Sequence, residues 1–185
     1  MKERKSLAEV PWKTLSSRAI YRNKWLSLRE DQVALPDGRQ TIYGVVSCGE
    51  CAGVLPFLDP NTVLLVKQYR YVAKRVTWEM PTGGVHQSEA IEAAAQRELG
   101  EETGHRAGRL TWLSTYHTSK SVMDETAHLF LGENLVKLEL HPDETEFIEV
   151  GQFSFDQALK MVLTNEILDS MTVIAMLQAA RRKGL

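Results

Sequence analysis

The N-terminal quarter of the chain alternates apolar and polar residues in the manner of β-strands. Such alternation points successive side chains to opposite faces of a sheet. Strands are predicted near residues 26–35 and 40–47, joined by the turn Pro36-Asp37-Gly38. Proline fixes φ at the start of a turn, and glycine tolerates the positive φ that a tight turn often needs. The pattern therefore predicts a β-hairpin ahead of residue 50.

Two short apolar runs follow and predict buried strands. They are AGVLPFL at 52–58 and TVLLVKQYRY at 62–71, separated by the turn Asp59-Pro60-Asn61. Strands covered on both faces lose the alternation of apolar and polar residues. Strand character returns in LTWLSTYHT at 110–118 and in TAHLFLGENL at 126–135. Between these two pairs, the segment EMPTGG is expected to interrupt regular structure.

Three helices are expected in the rest of the chain. The first runs from about Ser88 to Thr103, with Ser88 as its N-cap and Gly104 beyond its end in the left-handed conformation. Two amphipathic helices, with a break near Asn165, are expected from Phe155 onward. Strands and helices in this order predict a mixed α/β domain.

The first of these helices changes character halfway along its length. Its apolar stripe consists of Ile91, Ala94 and Ala95. On a helix with 3.6 residues per turn, Glu98 and Glu102 continue this stripe and Glu101 lies at its edge. The outward side carries Glu92, Gln96 and Gly100. The helix is thus expected to bury its first half and to point carboxylates inward with its second half.

Carboxylates that face a protein interior cost free energy unless a cation meets them. Arg97 lies beside the stripe and is expected to neutralise at most one charge, with Glu89 as its more natural partner in a structural clip. The remaining excess of carboxylates is typical of a site for hard divalent cations, and Mg²⁺ in such sites recruits substrate phosphates. The alternative is a helix face in water, which the inward position of Glu98 and Glu102 disfavours.

Composition limits the class of protein. The chain has 185 residues, of which 43% are hydrophobic and 25% charged, and its net charge is -2. This balance is that of an ordinary globular domain and gives no bulk electrostatic affinity for nucleic acid or anionic membranes. No apolar run approaches the roughly 20 residues that span a bilayer, and no apolar stretch follows the charged N-terminus. We therefore expect a cytoplasmic protein with no nucleic-acid or membrane partner.

The two cysteines, Cys48 and Cys51, form a C-x-x-C sequence. Such a pair can be a redox couple or half of a zinc site. A zinc site needs two further ligands, and the nearest histidine downstream is the distant His86. A redox pair usually opens a helix, whereas the surrounding residues have an extended pattern. The favoured interpretation is two small reduced thiols near a strand end.

The segment GGVHQSEAIEAAAQRELGEETG, which begins at Gly83, follows the pattern G-x5-E-x7-R-E-U-x-E-E-x-G, in which U is apolar. It resembles the Nudix box of the Nudix hydrolases. Every fixed position is met: Gly83, Glu89, Arg97, Glu98, Leu99, Glu101, Glu102 and Gly104. The departure is His105, where the family prefers an apolar residue. Further segments, VLLVKQYRY, WEMPTGG, DETEFIEV and ILDSMTVIAML, are similar to the ADP-ribose pyrophosphatase branch.

The resemblance implies a fold and an assembly. The fold is the Nudix α/β/α sandwich around a mixed sheet, preceded by a small antiparallel β lobe. Residues 1–50 are assigned to the N-terminal lobe, for dimerisation and base binding, and residues 51–185 to the Nudix hydrolase domain. Relatives in this branch are homodimers, so a homodimer is expected from family likeness alone.

The resemblance also implies a reaction. A nucleoside diphosphate joined to another moiety is hydrolysed at its pyrophosphate, and ADP-ribose would give AMP and ribose 5-phosphate. Two or more Mg²⁺ ions are implied, with Mn²⁺ as the alternative. Glu98 and Glu102 are the expected metal ligands, and Glu101 is a further ligand or positions metal-bound water. The backbone carbonyl of Thr82 is the fourth expected contribution, since the Gly83-Gly84 pair lets the backbone come close to metal and phosphate.

A general base is still needed, and the branch takes it from a later acidic loop. Glu144 matches that position, with Glu146 as the substitute or supporting group, while the alternative for this loop is a solvated turn.

Substrate contacts are expected from four more residues. Arg70, beside Glu79, is the candidate for a phosphate oxygen or the terminal ribose, because a guanidinium can bind bidentately. The alternative is a strand-end arginine that only pairs with Glu79. Trp25 and Tyr43, on adjacent N-terminal strands, match positions where the branch stacks aromatic rings on adenine. Their alternative is ordinary hairpin packing.

The sequence departs from the branch at the end expected to contact the sugar. Lys120-Ser121 stands where Pro-Gly is usual, and Lys120 either binds an extra phosphate or carboxylate or is simply exposed. Thr82 replaces a common alanine, and SCGECAG replaces a His-Pro-Gly-Ala type of segment. Alternative substrates are GDP-mannose, UDP-glucose and dinucleoside polyphosphates. Two functions without catalysis also stay open: a nucleotide-sugar-binding Nudix domain and a structural helix that holds Ca²⁺.

Overall fold

The computed structural model describes residues 12–139 and 147–185. The chain forms two compact units. Of the described residues, the first unit comprises those up to Gly49 together with His117–Glu125, and the second comprises those within Glu50–Tyr116 and Thr126–Leu185. Within the described ranges, every helix is too short or too polar to cross a bilayer.

The first unit contains a three-stranded antiparallel sheet with the strand order β1-β2-β3. Its strands are β1 (Lys13–Arg22), β2 (Ser27–Ala34) and β3 (Gln40–Ser47). Gly38 has a φ of 88° in the turn before β3, and the Asp37 carboxylate accepts a hydrogen bond from the Arg39 amide at 3.1 Å. The hairpin predicted from Pro36-Asp37-Gly38 is confirmed.

The second unit is built on a seven-stranded sheet with the path β10-β5-β4-β9-β8, to which β6 adds beside β5 and β7 beside β4. The strands are β4 (Glu50–Asp59), β5 (Thr62–Arg70), β6 (Arg75–Glu79), β7 (Thr82–Gly84), β8 (His105–His117), β9 (Thr126–Lys137) and β10 (Glu149–Ser154). Strand β4 runs antiparallel to β5 and β7 but parallel to β9, so the sheet is mixed.

Strand β7 was missed by the sequence pattern, which predicted a break across EMPTGG. Thr82 and Gly83 instead pair with Gly53 and Ala52 of β4. Glycine has a weak intrinsic preference for strands, but hydrogen bonds to a neighbouring strand can override local preference. The prediction of irregular structure was therefore wrong for Thr82–Gly84, and the pairing fixes this backbone against the centre of the sheet.

Three helices cover the two faces of this sheet: α1 (Ile91–Thr103), α2 (Phe155–Leu163) and α3 (Ser170–Lys183). On one face α1 packs in a cluster of Ala52, Val54, Ala94, Ala95, Leu99, Ala107 and Phe130. On the other face, residues of α2 and α3 pack with a larger cluster that includes Leu55 and Phe57. Residues of β4 thus alternate between the two cores, and the α/β/α sandwich is confirmed.

The sequence predicted both ends of α1, with Ser88 at its start and Gly104 just beyond its end. Gly104 has a φ of 69° and its amide donates to the Gly100 carbonyl at 2.9 Å, which confirms the left-handed C-terminal residue. The predicted start was wrong. Ser88 has a φ of 65° and lies in a turn, and the helix begins at Ile91 after Ala90, which makes no side-chain cap. The turn keeps Glu89 outside the helix.

The side of α1 that was expected to face water is largely covered. Gly100 is buried, and the Gln96 side-chain amide exchanges two hydrogen bonds with the backbone of Ala107, at 2.8 and 3.0 Å. The first residues of β8 cover this side because the chain turns back at Gly104. Of the three residues predicted to lie outward, Glu92 alone is exposed.

The C-terminal helices match their prediction. Asn165 has a φ of 60° between them, and α2 ends at Leu163. The Asp169 carboxylate accepts a hydrogen bond from the Thr172 amide at 2.7 Å and so caps the start of α3.

Candidate active site

The carboxylate of Glu98 lies directly against the backbone of Gly83. A Cβ atom built on Gly83 would come within 2.1 Å of the Glu98 Cδ and Oε1 atoms. Real Cβ atoms do not approach other atoms this closely, so the position of this carboxylate depends on glycine at residue 83. Two packing relations create the approach: β7 is paired to β4, and α1 packs on the same face of β4.

Glu102 lies one turn further along α1 and is buried. It is 7% exposed, and its Oε2 atom lies 3.3 Å from the Thr82 amide nitrogen, which donates to it. The Glu98 side chain is 13% exposed, whereas that of Glu101 is 49% exposed. The inward direction of Glu98 and Glu102, with Glu101 at the edge, is therefore confirmed. The alternative of a helix face in water is wrong.

Arg97 joins the turn before α1 to the acidic end of the helix. Its Nε and Nη2 atoms donate to the two carboxylate oxygens of Glu89 at 3.0 and 3.1 Å, which confirms the predicted clip. Its Nη1 atom also donates to Glu98 at 2.7 Å and to Glu101 at 3.0 Å. Its single positive charge can neutralise at most one of these three carboxylates, as expected, although the five N–H donors of a guanidinium let it contact all three.

This pairing changes the acid–base properties of the clip. The hydrogen bond from Arg97, helped by one from the His86 amide, lowers the pKa of Glu89 from 4.5 to about 2. The hydrogen bond to Glu89 in turn raises the pKa of Arg97, with a further contribution from Glu98. The clip is charged across the whole range in which the protein would work. One cation still faces three carboxylates, so negative charge remains in excess here.

The oxygen ligands expected for a metal are Thr82, Glu98, Glu101 and Glu102. They fit a hard divalent cation because the set contains carboxylate and carbonyl oxygens and no thiolate. The bare Cα of Gly83 also keeps the Glu98 carboxylate close to the backbone. Across residues 12–139 and 147–185, no three acidic, histidine or cysteine side chains converge as a ready metal site. Arg97 holds Glu98 and Glu101, and Glu102 turns to the Thr82 amide, so the ligand set stays a prediction.

Arg70 and Glu79 form a second ion pair within the same unit. Arg70 Nε lies 2.8 Å from Glu79 Oε2 and 3.0 Å from Oε1, and Nη2 also donates to Oε2. Burial alone would lower the pKa of Arg70, but the hydrogen bond to Glu79 and the charges of Glu79, Glu102 and Asp169 raise it overall. The pairing alternative is thus present in the structure. Because the Arg70 side chain is 41% exposed, it can still meet an anion.

The structure places Trp25 and Tyr43 apart within the first unit. Trp25 lies in the turn between β1 and β2, not on a strand as expected, and its amide donates to Asn23 Oδ1 at 2.8 Å. Tyr43 pairs with Asp31 in the middle of β3 and packs edge-on against Trp12, at 5.5 Å between ring centroids. The turn lies past the far end of β3, roughly 13 Å along the strand from Tyr43. A joint role in base stacking stays a prediction.

Other predicted residues contribute less. Glu144 and Glu146 lie outside the described residues. Lys120 and Ser121 are exposed in the first unit. Burial together with the charges of Glu125 and Asp124 raises the pKa of Cys48. A raised thiol pKa disfavours the reactive thiolate, in agreement with small reduced thiols.

Sequence reasoning missed a polar group beside the carboxylates. His128 of β9 forms a hydrogen bond to Glu50 at the start of β4, with 3.1 Å between Nε2 and Oε1. A histidine between Ala127 and Leu129, two buried residues of a strand, was the available signal. Glu50, within the SCGEC segment, gives no signal of its own in the sequence.

Comparison with known proteins gives two family matches, which together run from residue 12 to residue 171. The nucleoside diphosphate sugar hydrolase N-terminal domain matches residues 12–46, and the NUDIX domain matches residues 49–171. A solved structure, described as the crystal structure of an ADP compounds hydrolase, superposes with a TM-score of 0.83 at 19% identity and covers 94% of this chain and 95% of that one. At this identity the likeness shows the fold alone.

Two relatives extend the comparison. The chain is 36% identical to the ADP-ribose pyrophosphatase of Bacillus subtilis, over 92% of each protein. It is 32% identical to the methanol dehydrogenase activator of Bacillus methanolicus, over 88% of this chain and 89% of that protein. With the NUDIX match over residues 49–171 and the mixed α/β/α fold, these relations lead to one conclusion: the chain belongs to the Nudix hydrolase family.

Proposed function

We propose that the protein is a divalent-metal-dependent pyrophosphatase that hydrolyses ADP-ribose to AMP and ribose 5-phosphate. The observation that carries the proposal is the seating of Glu98 on Gly83 beside the buried Glu102. This arrangement supports the proposal because it brings carboxylate oxygens, which hard divalent cations prefer, next to a glycine backbone that a diphosphate could approach closely. The substrate is supported by the 36% identical relative named ADP-ribose pyrophosphatase.

Each residue has a proposed part in this reaction. Glu98, Glu102 and the Thr82 carbonyl would hold divalent ions, most simply two or more Mg²⁺ with Mn²⁺ as the alternative, and Glu101 would help. Bound divalent ions neutralise charge on the diphosphate and lower the pKa of water. Arg97 orients Glu98 and Glu101 through the hydrogen bonds described above.

The remaining roles complete the proposal. Arg70, still tied to Glu79, would donate to a phosphate oxygen or to the terminal ribose, because its side chain is partly exposed. Glu144 would take a proton from the attacking water, with Glu146 as its substitute. Trp25 and Tyr43 would contact the base.

We also propose the division into an N-terminal lobe, residues 1–50, and a Nudix domain, residues 51–185, with the lobe joining two copies in a homodimer. Support for the division comes from the separate family matches.

Support for the dimer comes from the first unit, in which every residue of β1 is exposed and apolar side chains such as Leu15, Ile20 and Ile42 are not covered. Exposed apolar patches often mark protein interfaces. A cytoplasmic location, expected from the amino-acid sequence, is part of the same proposal.

The experiment that tests this function is a substrate panel. ADP-ribose, GDP-mannose, UDP-glucose and a dinucleoside polyphosphate are incubated with the protein and Mg²⁺ or Mn²⁺, and the products are separated by chromatography. The proposal predicts AMP and ribose 5-phosphate from ADP-ribose at the highest kcat/KM. A higher kcat/KM for another compound would replace the substrate. Tight binding of ADP-ribose with no turnover under either metal would indicate a non-catalytic nucleotide-sugar-binding domain.

A further inference from the structure

A chain of hydrogen bonds runs across strands β8, β9 and β4 of the second unit. Trp112 Nε1 donates to Thr115 Oγ1 at 3.1 Å. Thr115 Oγ1 lies 3.1 Å from His128 Nδ1, and His128 Nε2 lies 3.1 Å from Glu50 Oε1. The His128 side chain is 16% exposed, whereas that of Glu50 is 54% exposed. The chain thus begins at a tryptophan and ends on a carboxylate open to solvent.

The chemistry of the four groups sets the direction of the chain. An indole N–H can only donate and an ionised carboxylate can only accept. Since Thr115 Oγ1 accepts from Trp112, its hydroxyl proton is available to His128 Nδ1, and the Nε2 proton then points to Glu50. The other neutral tautomer would place a lone pair of Nε2 against the carboxylate. Of the two neutral forms, the geometry selects the Nε2–H tautomer.

The end of this chain lies beside the candidate active site. Ala52 of β4 pairs with both His128 of β9 and Gly83 of β7, so these three positions form one row across the sheet. Glu98 rests on Gly83 from the α1 side, and Ala52 belongs to the α1 core, so this row faces α1. Glu50, two residues before Ala52, faces the same side. Diagonal neighbours of this kind lie about 7–8 Å apart, which is the expected separation of Glu50 from Gly83.

A further backbone contact fixes the position of Glu50 relative to the segment Gly84-Val85. The Val85 amide donates to the Glu50 carbonyl at 2.9 Å, and the Arg97 guanidinium donates to the neighbouring Gly84 carbonyl at 2.8 Å. Glu50 therefore lies next to Val85, and Arg97, the residue that orients Glu98, contacts Gly84 one position earlier in the chain. A diphosphate held at Glu98 would place its attached groups within reach of the Glu50 carboxylate.

We propose that Glu50 is a subsite for sugar hydroxyls, and that His128 and Thr115 are positioning residues that orient it. A carboxylate near a diphosphate repels the phosphates, but it can accept hydrogen bonds from the neutral sugar joined to them. The proposal rests on the proposed function for the nature of the ligand. It extends that function by assigning a group that selects the hydroxylated end of the substrate.

Two ligands separate the subsite from the diphosphate site. ADP-ribose carries sugar hydroxyls on its terminal moiety, whereas the methyl ester of ADP has the same diphosphate and no terminal sugar. Dissociation constants for both are measured by calorimetry with Ca²⁺, alongside kcat/KM with Mg²⁺. Glu50→Gln is expected to weaken ADP-ribose about tenfold or more and to change the methyl ester less than about twofold. The matched control is Glu133→Gln, whose carboxylate pairs with Arg109 at 2.7 Å elsewhere on β9.

Variants of His128 and Thr115, together with nitrogen NMR, test whether these two residues orient Glu50. His128→Gln keeps a donor toward Glu50 and His128→Leu removes it, so we expect His128→Leu to weaken ADP-ribose as Glu50→Gln does and His128→Gln to restore most of the affinity. Nitrogen NMR at about pH 8 should show His128 with its proton on Nε2 in the wild-type protein. In Thr115→Val the Nδ1 resonance should shift, because the hydroxyl that bonds to it is gone.

The outcomes distinguish this inference from the proposed function. Absence of turnover of either compound, with ADP-ribose still favoured by the wild-type protein and not by Glu50→Gln, would remove the enzyme and keep the subsite. Hydrolysis of ADP-ribose with Glu50→Gln equal to wild type, or with both ligands weakened alike, would overturn the subsite. A proton on Nδ1 of neutral His128 would overturn the positioning role.

Discussion

Two arginine–glutamate groups lie in the second unit and differ in how their charges balance. Arg97 meets three carboxylates, of Glu89, Glu98 and Glu101. Arg70 makes its bidentate pair with the single carboxylate of Glu79. The Arg97 side chain is 22% exposed and that of Arg70 41%. The same two residue types thus form a group with excess negative charge and a group that is neutral.

The difference indicates what each group can bind. A one-to-one ion pair carries no excess charge, and removal of either partner leaves an uncompensated charge. Three carboxylates around one guanidinium still favour an added cation. We therefore expect cation binding at the Arg97 group and, through its exposed guanidinium, anion binding at Arg70. Variants that affect one group and leave the other intact test this difference.

The largest loss of activity is expected from Glu102→Gln. This change keeps the size of a buried side chain and removes the charge proposed to hold a metal ion. Loss of a metal contact is worth several kcal/mol, so kcat for ADP-ribose should fall about 100- to 1,000-fold while Tm changes by no more than a few degrees. Rates are measured at saturating Mg²⁺. Glu92→Gln, an exposed glutamate of the same helix, is the control. Wild-type activity in Glu102→Gln would remove this residue from the site.

Gly83→Ala is expected to cause the second-largest loss of activity. The added Cβ would meet the Glu98 carboxylate at 2.1 Å, and this flexible side chain can move aside, so the fold survives but the carboxylate is displaced. Metal affinity and activity should fall about 10- to 100-fold. Gly84→Ala is a matched control because no atom lies within 4 Å of its added Cβ. Equal activity of the two variants would show that the seat of Glu98 on Gly83 does not matter.

Arg70→Ala should affect stability more than the preceding variants do. It leaves the Glu79 carboxylate, 2% exposed, without its partner. Because Arg70 is partly exposed, we expect a loss of about 2–3 kcal/mol in the free energy of unfolding, below the range for a fully buried pair. The double variant Arg70→Ala/Glu79→Gln should recover about half of this loss. Urea unfolding measures both, and a stable single variant would show that the pair contributes little.

The smallest expected effect is on acid stability through Glu89. Its pKa is lowered from 4.5 to about 2, so the folded state binds a proton at lower pH than the unfolded state does. The stabilisation by this group is fully present above about pH 4.5 and is lost as the pH falls toward about 2. Tm measured between pH 5 and pH 2.5 should fall less steeply in Glu89→Gln than in the wild type. Identical slopes would contradict the strength of the clip.

Local signals in the sequence predicted most of the fold. The Pro36-Asp37-Gly38 turn, the apolar runs of β4 and β5, and the stop at Gly104 each depend on neighbours close in the chain, which is why they were found. Strand β7 was missed because its hydrogen bonds come from β4, far away in sequence. The N-cap at Ser88 was wrong because Glu89 is held by Arg97 in a turn outside the helix.

The candidate site shows the same limit. Helical periodicity was sufficient to predict that Glu98 and Glu102 point inward. It could not show that Arg97 reaches three carboxylates, because that depends on side-chain conformations. The pairing of Glu50 with His128 is also beyond a local pattern, since the two residues meet only when β4 and β9 pair.

The central claim is that Glu98, seated on Gly83, and Glu102 hold a divalent cation against a diphosphate. The most direct measurement is electron paramagnetic resonance of Mn²⁺ bound in the presence of a non-hydrolysable methylene analogue of ADP-ribose. We expect tight Mn²⁺ binding by the wild-type protein and by Gly84→Ala, and affinity about tenfold or more weaker in Glu98→Gln and Glu102→Gln. Wild-type Mn²⁺ affinity in both glutamine variants would contradict the claim.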